Sequence, residues 1–143
     1  MRGLIAIFIL ILTTLQSARG DEITLRIGLY NIRATIANTP QSRERGLQNI
    51  TRLCQNCGMI FVFPVAGKHT FWMKNTPRSL SIAFIAADGR ILNIAEMQAN
   101  TLIHHSAQGN ALYALEMNQG WFASHSIKPD DQVEEIQHAP KGR

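Results

Sequence analysis

The segment from Ser81 to Met97 constrains the fold more than any other, because it is the clearest β-hairpin signal in the chain. Asp88-Gly89 is a preferred residue pair for a two-residue turn with positive φ. Pairing outward from this turn creates one wholly apolar face, made of Ala83, Ile85, Leu92 and Ile94. The pattern therefore predicts two antiparallel strands whose shared apolar face belongs to the core.

Further short apolar runs recur along the chain and are separated by turn-forming residues. The strands predicted from them span residues 23–29, 32–36, 58–63, 69–74, 111–117 and 132–136. Asn31 is expected to mark a turn or a bulge between the first two, which then form a hairpin or one bent strand, and Pro64 is expected to end the third. One or two short helices are predicted: one at Pro40–Leu47 with Thr39 as its N-cap, and a second, of one helical turn or more, within Gly120–Ser126. Short links between strands favour a mainly β (α+β) fold, an antiparallel sheet curled into a sandwich or partly closed barrel.

The amino terminus has the pattern of a cleaved export signal. An apolar run at Leu4–Leu12 follows a positive residue, and Ala18 and Gly20 occupy the small-residue positions before a cleavage site. The run is shorter than the roughly 20 apolar residues that a membrane span requires. We expect residues 1–20 to be a signal peptide, a mature chain that starts at Asp21, and a periplasmic or secreted bacterial protein.

The charge of the chain gives little support to nucleic-acid binding. The formal net charge is +4, but Arg2 and Arg19 lie in the predicted signal, and without them 12 basic residues face 10 acidic ones. The mature chain has no dense basic stripe and no second apolar segment of membrane-spanning length. We therefore expect a single domain at residues 21–143, with no nucleic-acid partner and no stable membrane anchor after cleavage. Its oligomeric state is not predicted.

Cys54 and Cys57 form a C-x-x-C motif, and they are the only cysteines. An exported protein would meet an oxidising compartment, which favours a structural disulfide. A redox site is a second interpretation, although the motif precedes a strand rather than a helix, where a thiolate would be stabilised. A zinc site is a third, and it would need ligands such as His69, His104 or His105.

The run from Phe71 to Thr76 is the best candidate for a binding site, because large apolar side chains adjoin a cation, an amide and a hydroxyl. Trp72 would stack on a ligand, while Lys74, Asn75 and Thr76 would form hydrogen bonds to it. The alternative is a strand end in which the polar side chains satisfy a turn and the lysine faces water. Trp121 is a second candidate stacking platform.

Other chemistries have weaker support. No G-x-S-x-G elbow and no glycine-rich phosphate loop is present. Glu96 and Glu116 are interpreted as charges at the rim of the sheet rather than as an acid–base pair. The methionines fit core packing better than a copper site. We therefore expect no cofactor, no metal and, on balance, no enzyme.

The chain resembles the domain of unknown function 192 family from about residue 32 to residue 133, with a core at about 32–136. The resemblance is carried by Arg45-Gly46-Leu47, residues 58–63, residues 71–76, Asp88-Gly89-Arg90, Tyr113-Ala114-Leu115-Glu116 and Gly120-Trp121. It implies two curved antiparallel sheets in a clam-like β fold, often exported, with no assigned reaction. Family members commonly carry an aspartate where Ser81 stands, and an acidic loop where the cysteine pair stands.

The leading hypothesis is an exported, non-enzymatic domain that binds a small polar ligand such as a glycan. Arg45 and Glu116 are candidates to line the same face as the run from Phe71 to Thr76. One alternative is a metal-handling or thiol-redox accessory protein that acts through Cys54 and Cys57. Another is a protein-interaction module of the cell envelope that uses the aromatic surface.

Overall fold

The computed structural model of the protein describes residues 21–143, and the predicted signal peptide, residues 1–20, lies outside the described residues. The elements of the described part are β1 (Glu22–Ile27), β2 (Tyr30–Ala37), α1 (Pro40–Arg45), β3 (Cys57–Gly67), β4 (Thr70–Phe71), β5 (Leu80–Ile85), β6 (Ile91–Met97), β7 (His105–Ser106), β8 (Ala111–Asn118), α2 (Trp121–Ser124), β9 (Val133–Glu134) and a 3₁₀ helix (Ile136–His138).

Seven strands form one curled, half-barrel sheet in the order β6-β5-β8-β3-β2-β1-β9, and β4 pairs with β7 in a small second sheet. The mainly β fold class is confirmed. One pairing departs from the expected antiparallel pattern, since β2 and β3 run parallel. The connection between them, residues 38–56, contains α1 and is long enough for the crossover that parallel strands require.

The Asp88-Gly89 hairpin is present, but its register shifts near the turn. Ala83 lies opposite Ile94 as predicted, whereas Ile85 lies opposite Ile91 instead of Leu92. A hydrogen bond from Ala86 N to Arg90 O closes the turn one residue earlier than the sequence pairing assumed. Leu92 is therefore the extra residue of a β-bulge, and it packs on the other face of the sheet.

Four other boundaries differ from the sequence expectation. The turn between β1 and β2 is made by Gly28, whose φ is +57°, and Leu29, rather than by Asn31. Pro64 does not end β3, because the strand passes through a bulge and continues to Gly67. The strand predicted at residues 69–74 is only Thr70–Phe71, and the last predicted strand, residues 132–136, divides into β9 and the start of the 3₁₀ helix.

Helix α1 begins where the sequence predicted and ends two residues earlier. Thr39 Oγ1 accepts from Ser42 N at 3.1 Å, and Ser42 Oγ accepts from Thr39 N at 2.9 Å, which together form a capping box. Pro40 occupies the first helical position, where its missing N–H costs nothing. Gly46 follows the last helical residue with a φ of +47°.

Loss of this cap has a measurable cost. We expect Thr39→Ala to lower the free energy of unfolding by about 1 kcal/mol, because one helix N–H loses its acceptor. Thr51→Ala, at an exposed loop threonine, serves as the control and should change stability by less than about 0.5 kcal/mol. Urea unfolding of both variants makes the comparison, and equal losses would contradict the capping role.

The sheet buries side chains on both of its faces. One face packs against α2 and the carboxyl-terminal segment, with Leu25, Ile60, Leu115, Trp121 and Phe122 among its core residues. The other face packs against the segment that follows α1 and residues 70–76, with Phe61, Met73, Ile82, Phe84 and Met97 in its core. The candidate binding site lies on this second face, which is called the cavity face below.

Candidate functional site

A cavity of about 530 Å³ opens on the cavity face. One wall is α1 with the residues just after it, and the opposite wall is the segment from Thr70 to Thr76. The six residues that the sequence put forward as ligand contacts all line this cavity: Arg45, Trp72, Lys74, Asn75, Thr76 and Glu116. The fold therefore brings together residues that are up to 71 positions apart in the chain.

Glu116 lies in the floor of the cavity and is only 4% exposed. Its strand, β8, is a central strand of the sheet, and its neighbours in register are Met59 on β3 and Ile82 on β5. Interpreting Glu116 as a charge at the sheet rim was therefore wrong. Alternation along a strand shows which face a residue takes, whereas the position of the strand within the sheet depends on distant pairings.

The environment of Glu116 controls its protonation. Burial among apolar neighbours raises the pKa of its carboxyl from 4.5 to about 8. Among residues 21–143 no basic side chain forms a salt bridge with it. At neutral pH the floor of the cavity therefore presents a carboxylic acid, which both donates and accepts hydrogen bonds.

Three phenylalanines form the apolar wall around this acid. The Phe71 ring meets Phe61 edge-on, with centroids 4.8 Å apart, and meets Phe63 edge-on at 6.1 Å. Beneath them the Phe84 ring packs against the Phe71 ring, with centroids 5.7 Å apart. Edge-to-face contacts of this kind fix ring orientation as well as burying area, so the wall of the cavity is a preformed surface.

Trp72 lies at the rim of the cavity and is 48% exposed. Lys74 Nζ lies 5.7 Å from the centre of the indole ring, and the His104 ring lies 6.1 Å from it at a tilt of 57°. A cation over an indole face gains electrostatic stabilisation and restricts the ring. The rim thus combines a large aromatic face with a positive charge.

Asn75 and Thr76 have partly structural roles. Asn75 adopts a left-handed backbone with φ +53°, and its carbonyl accepts from Asn49 N at 2.9 Å. The Thr76 hydroxyl donates to the Lys74 carbonyl at 3.1 Å and is buried. The interpretation of this corner as a turn holds for Thr76, whereas the Asn75 side chain is exposed at the cavity rim.

Two arginines of α1 line the cavity in different ways. Arg45, which the sequence put forward, is exposed at the last position of the helix. Arg43, which it did not, donates to Val62 O at 2.9 Å and to Arg143 O at 2.8 Å, and lies 5.4 Å from the centre of the Phe63 ring. Arg43 therefore braces the wall, while the charge of Arg45 remains available at the rim.

The two cysteines form a disulfide, Cys54–Cys57, which is away from this cavity. It lies beside a second, open groove of about 710 Å³, whose lining includes Gln55, Arg78, Asn118, Trp121 and His125. Trp121 is only 3% exposed, and its indole N–H donates to Asn56 Oδ1 at 2.9 Å. The expectation of a second exposed stacking platform at Trp121 was therefore wrong.

Ser81 is also remote from the cavity. It shares the opposite face of β5 with Ala83 and Ile85, and its buried hydroxyl donates to Glu96 Oε2 at 2.6 Å. Gly120 N donates to the same hydroxyl at 2.7 Å. The side chain at position 81 therefore contributes to a contact between β5, β6 and the start of α2, and it does not belong to the cavity lining.

Two properties of residues 21–143 concern metal binding and membrane spans. No three histidine, cysteine, aspartate or glutamate side chains in this part of the chain lie close enough together to hold a metal ion. None of its helices has the length and apolar character needed to cross a membrane.

Comparison with known families decides which family this fold and its residues represent. The profile of the DUF192 family, described as an uncharacterised ACR, matches residues 23–135. The chain belongs to the DUF192 family. The resemblance to this family, which residues 71–76 and the other motifs carried, is confirmed. The match to residues 23–135 extends beyond both ends of the region from about residue 32 to residue 133 that the motifs indicated.

Two solved structures are similar to this DUF192 protein. A candidate transcription regulator from Sinorhizobium meliloti 1021 has a TM-score of 0.80 and 26% identity, over 82% of this chain and 96% of that one. A protein of unknown function from Novosphingobium aromaticivorans DSM 12444 has a TM-score of 0.76 and 34% identity, over 79% and 84% of the two chains. A comparison with curated proteins gave no match.

Proposed function

We propose that this protein is an exported, non-enzymatic domain that binds a small polar ligand, a glycan fragment, in the cavity above Glu116. The observation that carries the proposal is the Glu116 carboxyl, which is buried in an apolar sheet, lacks a salt-bridge partner among residues 21–143 and faces an open cavity. A carboxyl in such surroundings has a free-energy cost that a ligand with hydrogen-bonding groups would offset.

The chemistry of the cavity suits a sugar. Sugar hydroxyls donate and accept hydrogen bonds, and a protonated Glu116 offers both functions to them. The half-exposed Trp72 indole provides a flat apolar surface for the carbon face of a sugar ring. Lys74 and Asn75 at the rim add polar groups for the outer hydroxyls.

The same lining supports binding rather than catalysis. The described part of the cavity contains one buried carboxyl, Glu116, and one exposed carboxyl, Glu44, and its lining includes no histidine, cysteine or serine. Glycoside hydrolysis uses a pair of carboxyl groups that flank the scissile bond. A single buried acid facing an aromatic rim is better suited to recognising a ligand than to cleaving it.

The proposed location rests on the sequence pattern of residues 1–20 and on the disulfide. A disulfide is compatible with an oxidising compartment outside the cytosol. A periplasmic or secreted protein would meet cell-wall glycans at high local concentration, which is why such fragments are the first ligands to test.

The test is calorimetric titration of the mature protein with soluble cell-wall glycan fragments. We expect saturable binding by the wild type and binding at least about tenfold weaker by Trp72→Ala, because the stacking surface is lost. Leu102→Ala, at an exposed apolar residue outside the cavity lining, is the control and should bind as the wild type does. No saturable heat with any fragment, or equal affinity of folded Trp72→Ala, would remove the proposal.

A further inference from the structure

The two cysteines of the Cys54–Cys57 disulfide differ in their exposure to solvent. Cys54 is exposed, whereas Cys57, the first residue of β3, is only 9% exposed. Thiol–disulfide exchange requires an incoming thiolate to approach one sulfur in line with the bond. The exposed Cys54 is therefore the sulfur open to attack, and Cys57 is the leaving group.

A cation lies beside the leaving sulfur. The parallel register of β2 and β3 places Arg33 next to Cys57, and Arg33 Nη2 lies 3.5 Å from Cys57 Sγ. The backbone of Arg33 is tied to the same loop, since its N–H donates to Asn56 O at 2.9 Å. A positive charge at this distance stabilises a thiolate, as a helix amino terminus does in other C-x-x-C sites.

The loop that carries the disulfide forms one wall of the open groove. Leu53 and Gln55, the residues on either side of Cys54, line it, but neither cysteine does, so an attacking thiolate reaches the disulfide from outside the groove. Asn118 Nδ2 donates to the Cys54 carbonyl at 2.9 Å, so the loop is held in place from β8.

We propose that the Cys54–Cys57 pair is a redox-active site that exchanges its disulfide with a partner dithiol, which attacks at the exposed Cys54. The site is on a different part of the molecule from the ligand cavity, and the proposal does not depend on glycan binding. The sequence favoured a structural disulfide because of the expected oxidising compartment, and the absence of a helix after the motif counted against a redox site. Arg33, 24 positions from Cys57 in the chain, supplies the positive charge that such a helix would otherwise give.

The exchange has two balanced steps. A thiolate of the partner, whose proton has gone to solvent, attacks Cys54 Sγ and forms a mixed disulfide. The Cys54–Cys57 bond breaks, and its electron pair leaves on Cys57 Sγ beside Arg33. The partner's second thiolate then attacks the partner sulfur of the mixed disulfide. This step forms a disulfide within the partner and releases Cys54 as a thiolate. The partner dithiol is oxidised by two electrons, and the Cys54–Cys57 pair is reduced by the same two.

The first test measures whether the disulfide exchanges at all. The mature wild-type protein is equilibrated with mixtures of reduced and oxidised glutathione, and free thiols are trapped by alkylation and counted by mass spectrometry. We expect the pair to pass from fully oxidised to at least half reduced within the series. A pair that remains fully oxidised in the most reducing mixture is a structural staple, and this result would overturn the proposal.

The second test asks which sulfur reacts and whether Arg33 assists. When the reduction by glutathione is stopped with acid, the trapped mixed disulfide should be found on Cys54. Arg33→Gln should slow reduction about threefold, because the leaving Cys57 thiolate loses its cation. Arg26→Gln, on the neighbouring strand and paired with Glu134, is the matched control and should react at the wild-type rate. An adduct mainly on Cys57, or equal rates for the two variants, would contradict the mechanism.

Discussion

Glu116→Gln is expected to remove a pH dependence of stability that the wild-type protein shows between about pH 4.5 and pH 8. The pKa of the folded-state carboxyl, about 8, lies above its ordinary value of 4.5 because burial penalises the charged form. Between these two values the unfolded chain releases the proton and the folded chain keeps it. The contribution of the protonated acid to the free energy of unfolding is fully present below about pH 4.5 and is lost as the pH rises through 8.

The expected loss across this window is on the order of 5 kcal/mol in the wild type, and the neutral amide of Glu116→Gln should avoid it. Urea unfolding at a series of pH values, from about pH 4.5 to pH 9, makes the comparison. Glu44→Gln, at an exposed carboxylate on the rim of the same cavity, is the control and should follow the wild-type curve. If the Glu116→Gln and wild-type curves run parallel, the carboxyl is not desolvated.

Gly58→Ala is expected to have the second large effect. Gly58 faces β8, and an added methyl group would collide with the Glu116 carbonyl and with Met117 Sδ. One of these obstacles is backbone, so the clash can be relieved only by separating β3 from β8, the strand that carries Glu116. We expect a loss of about 3 kcal/mol or more in the free energy of unfolding, measured by thermal and urea unfolding.

Gly67→Ala is the matched control because it tests a glycine at the other end of the same strand. The nearest atoms to a methyl group there belong to the His69 ring at 3.8 Å, which is ordinary contact distance. The substitution should change stability by less than about 1 kcal/mol. A similar loss at both positions would show that strand propensity, rather than the close approach of β3 to β8, determines the cost.

Local patterns in the sequence predicted most of the elements of this fold. Alternation identified the strands, the Asp88-Gly89 pair located the hairpin, and Thr39-Pro40 located the start of α1. The bulge at Leu92 was not predictable from alternation, because it depends on how the turn closes. The parallel pairing of β2 and β3 was missed as well, because antiparallel links are the usual outcome for neighbouring strands.

The candidate site shows the same division between local and long-range information. The residues from Trp72 to Thr76 stood out because they combine an aromatic side chain with polar ones, and Arg45 and Glu116 were named as candidates to line the same face. The burial of Glu116 was missed because it depends on β8 lying between β3 and β5. The contact of Arg33 with Cys57 depends likewise on strand register, which no short window of sequence contains.

The most direct test of the central claim is a nuclear magnetic resonance titration of the Glu116 side-chain carboxyl, labelled with ¹³C, in the mature protein with and without a cell-wall glycan fragment. The account predicts that this resonance titrates near pH 8 in the free protein, and that it shifts saturably, together with the Trp72 indole signal, when the fragment is added. A Glu116 carboxyl that titrates in the ordinary range and does not respond to any fragment that is tested would contradict the account.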